Sequence, residues 1–380
     1  MSDSYGFNEE TQRKAKNYLY SGLRASLVKG IVIFVLALLV FALRLSTALE
    51  NFVRVYVSEP SLVVALYTLI GYVVFWLVSF PFDYYEEYVL EHKFDLSTET
   101  FGRWLLDKAK ASILSILFIL FFVEGIYNFM WLDPTYWWLF LWFVSVFFIA
   151  LIIYVSPVLI DPLFFKFPRL KNDELLNRLT KLADKAGIKI IGVFEMKAGA
   201  KTKKATAALT GIGNTRRMLL SDTFLSNYSN DEIESVMGHE IGHHIYGHIW
   251  KLALGLSGFF LFALFITNQI VQPISAFFNL EPINSVSSLP LLALVFGLLY
   301  VGFTPLMITL SRRAESQCDQ YELDLVQKPD DYISSMIKLC DQNLRYAYPS
   351  PFIEFMFYDH PSGKNRVERA LTYKRLRHPL

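Results

Sequence analysis

Two histidines and a glutamate lie within five consecutive residues, His239-Glu240-Ile241-Gly242-His243. On an α-helix, residues four apart share a face, so the imidazoles of His239 and His243 can reach one metal ion. Glu240 follows His239 directly and can act as a general base on a water molecule at that ion. The spacing therefore predicts a zinc site with hydrolytic chemistry.

A catalytic zinc ion needs three protein ligands and one open position, so two histidines are incomplete. The segment from Ser311 to Asp319 supplies the best third candidate, because Glu315 and Asp319 are again four apart on a predicted helix. Glu315 would ligate the metal, while Asp319 would hydrogen-bond the outer nitrogen of a ligand histidine and fix its tautomer. Taken alone, the segment also fits an ordinary charged helix beyond a membrane span.

Other histidines offer weaker alternatives. His244 and His248 are also four apart and form a rival pair on an adjacent face, but the placement of Glu240 directly beside His239 favours the first pair. His248 is expected to pack nearby or to hydrogen-bond a ligand. His360, a lone histidine before a proline, fits a structural residue when it is considered by itself.

The composition is that of a membrane protein. The 380 residues are 53% hydrophobic and only 19% charged, and the mean hydropathy is positive. A net charge of +1 gives no sign of a nucleic-acid surface. Cys318 and Cys340 have neither zinc-finger nor CxxC spacing, so they are expected to be reduced, buried thiols.

Six apolar stretches are long enough to cross a bilayer, at residues 25–49, 61–82, 111–130, 136–159, 250–271 and 289–310. Lysine and arginine are concentrated before the first span, in the second and fourth connections and in the C-terminal segment. They are scarce in the first connection and absent from the third and fifth. This alternation predicts that both termini and the large polar segment face the cytoplasm.

The spans divide the chain into four predicted parts: residues 1–159 with four spans, a soluble region at 160–249, two spans at 250–310 and a C-terminal region at 311–380. The soluble region is expected to contain a helix at 172–186 and strands at 189–194 and 217–222. Ser229 and Glu232 form a capping box that opens the helix of the histidine motif. This helix could run on into the fifth span.

Five segments occur in the order seen in the CAAX prenyl protease type I family of integral-membrane zinc metalloproteases, which the chain resembles from about residue 84 to residue 369. The matching segments are Val89-Leu-Glu-His-Lys-Phe-Asp95 with Thr98, Pro157-Val-Leu-Ile-Asp-Pro-Leu-Phe-Phe-Lys-Phe167, Gly238 to His243 with Gly247-His248, Ser311-Arg312-x-x-Glu315-x-x-Cys318-Asp319, and His360-Pro361.

The resemblance implies a mainly α-helical membrane protein in which six to seven transmembrane helices form a cage around a chamber, with a zincin-like α+β region. It implies one zinc ion held by His239, His243 and Glu315 at the cytoplasmic end. Glu240 would activate water, and His360 would position the substrate or stabilise the oxyanion.

The resemblance also implies that substrate lies extended along an edge strand. Family members have an Asn-Ala pair in that strand, whereas this chain has Thr206-Ala207-Ala208. These three residues are the expected substrate-binding positions. Thr206 can still donate a hydrogen bond, but its side chain is shorter than that of asparagine.

The expected function is a membrane-embedded zinc endopeptidase that cleaves proteins or peptides near a C-terminus, with prenylated CAAX proteins as the implied substrates. Its partners would be the peptide substrate and the lipid bilayer, in the endoplasmic reticulum of a eukaryote or the inner membrane of a prokaryote. Two alternatives stay open: a quality-control protease of membrane proteins, and a transporter or scaffold with a structural zinc ion.

Overall fold

A computed structural model describes residues 5–377 of the chain. Within these residues, six helical segments are long and apolar enough to cross a membrane, as the sequence predicts. In chain order the α-helices are α1 (Glu9–Ala42), α2 (Leu45–Tyr56), α3 (Pro60–Asp83), α4 (Leu90–Lys93), α5 (Phe101–Leu132), α6 (Trp137–Val155), α7 (Asp161–Phe164), α8 (Asp173–Lys185), α9 (Asp222–Asn227), α10 (Asn230–Ile245), α11 (His248–Phe277), α12 (Leu289–Val326), α13 (Pro329–Gln342), α14 (Pro351–Phe357) and α15 (Gly363–Arg377).

The first span differs from its prediction at both ends. Helix α1 begins at Glu9, where the side chain of Asn8 accepts a hydrogen bond from the Thr11 N–H, and it ends at Ala42. Arg44 has a left-handed φ of 50°, and α2 starts directly after it. The predicted span at 25–49 therefore includes a turn. The apolar run continues through this turn, so hydropathy alone does not reveal it.

Ion pairs join three of the spans. Asp83, at the end of α3, accepts from Lys29 of α1 at 2.5 Å and from Lys108 of α5 at 2.7 Å. The Asp83 side chain is largely buried. Charged groups near the membrane interior are costly unless they are paired, and this three-residue arrangement pairs all of them.

The polar region contains a small mixed sheet. Its strands are β1 (Val193–Met196), β2 (Ala207–Thr210) and β3 (Arg217–Ser221), in the order β1-β3-β2. Strand β3 pairs in parallel with β1 and antiparallel with β2, so β2 is an edge strand. The prediction for β3 is correct within one residue, but β1 lies later than the predicted 189–194. The residue pattern alone did not indicate β2, but the family resemblance placed residues 206–208 in an edge strand, and β2 contains Ala207 and Ala208.

Helix α10 packs between this sheet and α12. Its capping box is present as predicted: the Ser229 side chain accepts from the Glu232 N–H, and the Glu232 carboxylate accepts from the Ser229 N–H. Met237 and Ile241 are fully buried against a core that includes Leu209 and Met218 of the sheet. Burial of this face fixes the rotation of α10 and therefore the direction of its histidines.

The motif helix does not run on into the fifth span. It ends at Ile245, and Gly247 adopts a left-handed φ of 62° before α11 begins at His248. Glycine adopts this conformation without steric cost, so it makes a sharp change of direction possible. The break separates the polar helix α10 from the membrane span.

Helix α12 carries the sixth span and continues without interruption through Glu315 and Asp319. It approaches α10 closely at a glycine. A Cβ added at Gly242 would lie 3.2 Å from the Cα of Cys318 and 3.3 Å from its Cβ. The absence of a side chain at Gly242 therefore brings the two helices together beside His243.

Candidate active site

The side chains of His239, His243 and Glu315 converge. The atoms that meet are the Nε2 atoms of the two histidines and the carboxylate oxygens of Glu315. The two Nε2 atoms are 3.3 Å apart. Glu315 Oε2 lies 3.0 Å from His239 Nε2, and Glu315 Oε1 lies 3.3 Å from His243 Nε2. Two helices, α10 and α12, thus supply three donor atoms to one point.

These donor atoms fit a zinc ion. Ligands at the usual zinc distance of about 2.0–2.1 Å in a tetrahedron lie about 3.3 Å from one another. The three observed separations of 3.0–3.3 Å match that value. Cys318 also has its Sγ within 4.8 Å of ring nitrogens of both histidines. It contacts His248 Nδ1 at 3.4 Å, however, whereas Glu315 lies within 3.3 Å of both Nε2 atoms.

Asp319 lies behind the first histidine, as expected from its spacing. Its Oδ1 is 3.0 Å from His239 Nδ1. A proton on Nδ1 that is donated to this carboxylate leaves the Nε2 lone pair directed toward Glu315, which is the tautomer that a metal ligand needs. Burial alone would lower the pKa of His239, but Asp319 and Glu315 raise it more, to about 10. The surroundings of His239 are thus strongly anionic and favour a cation.

Arg366 of α15 completes this arrangement, and the sequence analysis did not identify it. Its Nη2 donates to Asp319 Oδ1 at 2.5 Å, and its Nε donates to Asp319 Oδ2 at 3.1 Å. Arg369 adds a longer bond to the same carboxylate, at 3.3 Å. Asp319 is fully buried, so this forked pairing compensates its charge and fixes its orientation. In the sequence, the only feature that could have indicated Arg366 is its position six residues after His360.

The catalytic candidates Glu240 and His360 lie on two different elements. Glu240 is on α10 beside His239 and is partly exposed. His360 lies between α14 and α15, with its Nε2 3.2 Å from Glu315 Oε2. Its Nδ1 is 2.9 Å from Asp359 Oδ1, which also accepts from Arg345 at 2.5 Å. His360 therefore joins the cluster although its sequence context alone fits a structural residue.

The rival histidines do not form a second metal pair. His248 is buried, with Nδ1 3.2 Å from His243 Nδ1 and Nε2 3.0 Å from Gln317 Oε1. His244 instead has its Nε2 2.7 Å from the Leu209 carbonyl oxygen, on β2. Burial lowers the pKa of His244. The neutral ring can donate from Nε2 to that carbonyl.

The three expected substrate-binding residues lie at the start of the edge strand. Thr206 is exposed, and its backbone faces β3, where its oxygen accepts from the Ser221 N–H at 2.9 Å. Antiparallel strands alternate in direction, so Ala208 also faces β3 while Ala207 directs its N–H and C=O to the free edge. Ala207 is thus the one of these three residues whose backbone is suited to pairing with a peptide.

The sequence profile of peptidase family M48 matches residues 169–374, more than half of the chain. The chain belongs to peptidase family M48. Residues 4–166 match a second profile, described as the CAAX prenyl protease N-terminal region with five membrane helices. Within that range the structure has four helical segments long enough to span a membrane, and the short helix α2 lies between the first two.

Two relatives show how far the similarity extends. The metalloprotease YhfN of Bacillus subtilis is 31% identical over 304 residues, covering 77% of this chain and 70% of the relative. CAAX prenyl protease 1 of Saccharomyces cerevisiae is 30% identical over 325 residues, covering 78% and 69%. The predicted family, CAAX prenyl protease type I, is confirmed.

The fold prediction is also confirmed. The crystal structure of Ste24p from S. mikatae superposes with a TM-score of 0.86 and covers 97% of this chain and 90% of that chain, at 22% identity. The M48 member described here is therefore a multi-pass membrane metalloprotease that acts on peptides or proteins and uses a metal ion. The comparisons give no support to the quality-control alternative or to a transporter or scaffold.

Proposed function

We propose that this M48 protein is a zinc-dependent endopeptidase that hydrolyses a peptide bond near the C-terminus of its substrates. One observation carries the proposal: the donor atoms of His239, His243 and Glu315 lie 3.0–3.3 Å apart, next to the carboxylate-bearing Glu240. Two histidines, one carboxylate and an open position are the ligand set of a catalytic zinc ion.

Glu240 is the proposed general base. A bound zinc ion would supply Lewis acidity for the peptide carbonyl and lower the pKa of a water molecule. Glu240 takes the proton from that water and returns it to the departing amine. Asp319 and Arg366 keep His239 in the tautomer whose Nε2 lone pair faces the site. His360, whose Nε2 lies 3.2 Å from Glu315 Oε2, is close enough to the site to donate to the developing oxyanion.

The proposed substrates are CAAX proteins that carry a prenyl chain. The yeast relative is named for this class. An apolar cavity of about 580 Å³ adds support, because it lies between α6, α11 and α12 and ends at Ser311 and Asp359. Ser311 is one helical turn from Glu315, and Asp359 adjoins His360. The walls of the cavity are formed by Phe148, Ile152, Ala253, Leu256, Phe303 and Met307.

The proposed site faces the cytoplasm, because the connections on that side are rich in lysine and arginine. Single cysteines introduced by Lys171→Cys and Asn284→Cys test this, since both positions are exposed and the two native cysteines are buried. In bacterial cells that carry the protein in their inner membrane, a membrane-impermeant maleimide added from outside should label position 284 and spare position 171. Labelling of position 171 from outside would contradict the orientation.

Mass spectrometry of products from a peptide panel tests the function. The panel contains one sequence ending in a CAAX motif, with and without a farnesyl group, and one non-CAAX sequence. We expect cleavage within the CAAX motif, with one zinc ion bound per chain. Glu240→Gln should keep the zinc ion and lower cleavage at least 100-fold, since general-base catalysis contributes about that much or more.

Glu234→Gln is the matched control, because Glu234 lies on the same helix but pairs with Arg178 and Lys328. This variant should retain cleavage. Full activity in Glu240→Gln, or cleavage that persists after zinc is removed by a chelator, would overturn the mechanism.

A further inference from the structure

The free edge of strand β2 is limited at both ends. Because Thr206 and Ala208 face β3, the backbone groups of residues 205, 207 and 209 point to the other side. That side is the edge to which an extended peptide could add as a further strand. The number of positions that remain available there decides how much of a peptide backbone the edge can hold.

Asn343 closes the first end of the edge. Its side-chain Oδ1 accepts from the Ala205 N–H at 2.8 Å, and its Nδ2 donates to the Ala205 carbonyl at 2.9 Å. One side-chain amide thus makes the same pair of bonds that a residue of a neighbouring strand would make. Asn343 directly follows α13, and Ala205 is buried, so a peptide cannot replace this pairing without moving that helix end.

His244 closes the other end of the edge. Its Nε2 donates to the Leu209 carbonyl at 2.7 Å. His244 directly follows His243. The helix that carries two candidate metal ligands therefore also supplies the donor that occupies the Leu209 carbonyl. We call Asn343 and His244 the caps of this edge. Within residues 205–209, they leave the N–H and C=O of Ala207 and the N–H of Leu209 available for pairing.

We propose that Asn343 and His244 are specificity-determining residues that restrict backbone pairing on β2 to a short register centred on Ala207. A peptide on this edge meets two N–H donors but one carbonyl acceptor. Two of its carbonyl groups can therefore accept from the edge, but only one of its own N–H groups can donate to it. The next N–H that faces the edge, two residues away, meets the occupied carbonyl of Leu209. This inference deepens the proposed function and rests on it.

An ester scan tests the register, because replacing an amide by an ester removes one N–H donor. It also weakens the carbonyl of the preceding residue, but in an extended strand that carbonyl points away from the edge. The probe is a ten-residue farnesylated CAAX peptide, cleaved by the full-length enzyme in phosphatidylcholine vesicles. In the wild type, one ester position should lower kcat/KM about fivefold, the usual effect of one net hydrogen bond. The position two residues away should change it less than twofold.

Removing a cap should change this pattern. His244→Leu frees the Leu209 carbonyl, so the second position should also become sensitive to the ester. Asn343→Ala frees both groups of Ala205, so an added residue at that end of the peptide should raise kcat/KM about fivefold relative to the shorter peptide. Gln342→Ala is the matched control, since Gln342 donates to Lys203 O, outside the edge strand. It should keep the wild-type pattern.

Each comparison is a ratio between two substrates of the same variant, so loss of stability alone does not change it. Two sensitive positions in the wild type, none at all, or an unchanged pattern in His244→Leu would overturn the inference. If the unmodified parent peptide is not cleaved by the wild type, the proposed function itself fails, and that result is separate from any ester pattern.

Discussion

Three side chains from two helices surround His239 and affect its chemistry. Asp319 is 3.0 Å from Nδ1, Glu315 is 3.0 Å from Nε2, and Arg366 pairs with Asp319. A buried carboxylate behind a ligand histidine raises the basicity of that ligand and fixes its ring. At the residue scale, metal affinity therefore depends on a residue that does not touch the metal.

Asp319→Asn should weaken zinc binding about 10- to 100-fold, because the amide accepts less strongly from His239 Nδ1. Competition with a chelator measures the affinity, and excess zinc should restore much of the cleavage. Asp324→Asn is the control, since Asp324 lies on the same helix and pairs with the exposed Arg377 at 2.9 Å. A lower unfolding temperature with unchanged zinc affinity would assign Asp319 a structural role instead.

Spacing along the sequence was enough to select some site residues but not others. His239, His243, Glu315 and Asp319 lie four apart in pairs, and helix geometry converts that spacing into proximity. Arg366 lies on α15 and Asn343 directly follows α13, and only the packing of these helices brings the two residues to the site. No spacing rule relates such residues, so the sequence alone could not single them out.

Two helices carry the candidate ligands, and their separation depends on Gly242. A methyl group there would meet Cys318 atoms at 3.2–3.3 Å, which is closer than ordinary contact, so α12 would have to shift by a few tenths of an ångström. Glu315 is on α12, so the shift would be transmitted to the metal site. Helix packing at the element scale thus determines the geometry of the site.

Gly242→Ala should lower kcat at least tenfold while the protein stays folded, because misplacement of a reacting group is costly in rate. Peptide cleavage at saturating zinc measures the effect. Gly102→Ala in the first turn of α5 is the control, since an added Cβ there has no atom within 4 Å among the described residues. Equal activity of the two variants would show that α12 adjusts without cost to the site.

The first turns of α10 carry acidic residues that pair with basic ones. Lys328 and Arg178 lower the pKa of Asp231. Burial raises the pKa of Glu234, but the same two bases lower it more. A carboxylate with a lowered pKa stabilises the fold at pH values above its unfolded pKa, about 4, and this contribution is lost as the pH falls further.

Lys328→Met should lower stability by about 1 kcal/mol at pH 7, the upper range for exposed pairs, and reduce the loss seen on acidification from pH 7 to pH 3. The variant loses contacts of 2.7 and 2.8 Å to Asp231 and Glu234. Thermal unfolding at both pH values measures the difference. Lys374→Met, which removes an exposed pair with Asp330, should change neither value measurably. Parallel pH profiles of wild type and Lys328→Met would contradict the prediction.

At the scale of the whole molecule, the six spans were predictable and their exact ends were not. Each span needs about 20 apolar residues, a signal that is strong in the sequence. The breaks at Arg44 and Gly247 depend on one left-handed residue each, and the apolar pattern continues past the first of them. The apolar cavity among α6, α11 and α12 was not predictable, because its lining comes from three helices that are far apart in the sequence.

Ala253→Phe should fill part of that cavity and lower kcat/KM for a farnesylated peptide at least tenfold, with little change for the unmodified peptide. The reason is that the prenyl chain would lose apolar contact area. Leu254→Phe is the control, because Leu254 lies on the same helix, is 74% exposed and does not line the cavity. An equal effect of Ala253→Phe on both peptides would exclude the cavity as the prenyl site.

The division of the ligands between α10 and α12 has a consequence for biogenesis. The ribosome releases His239 and His243 before the last two spans have been made, and Glu315 follows only at the end of the sixth. Chains begin to fold from the N-terminus during synthesis. At that stage a nascent chain holds two of the three candidate ligands, so the proposed hydrolytic activity can arise only after the final span has been made. Synthesis of the whole membrane region thus precedes any hydrolytic activity of the proposed kind.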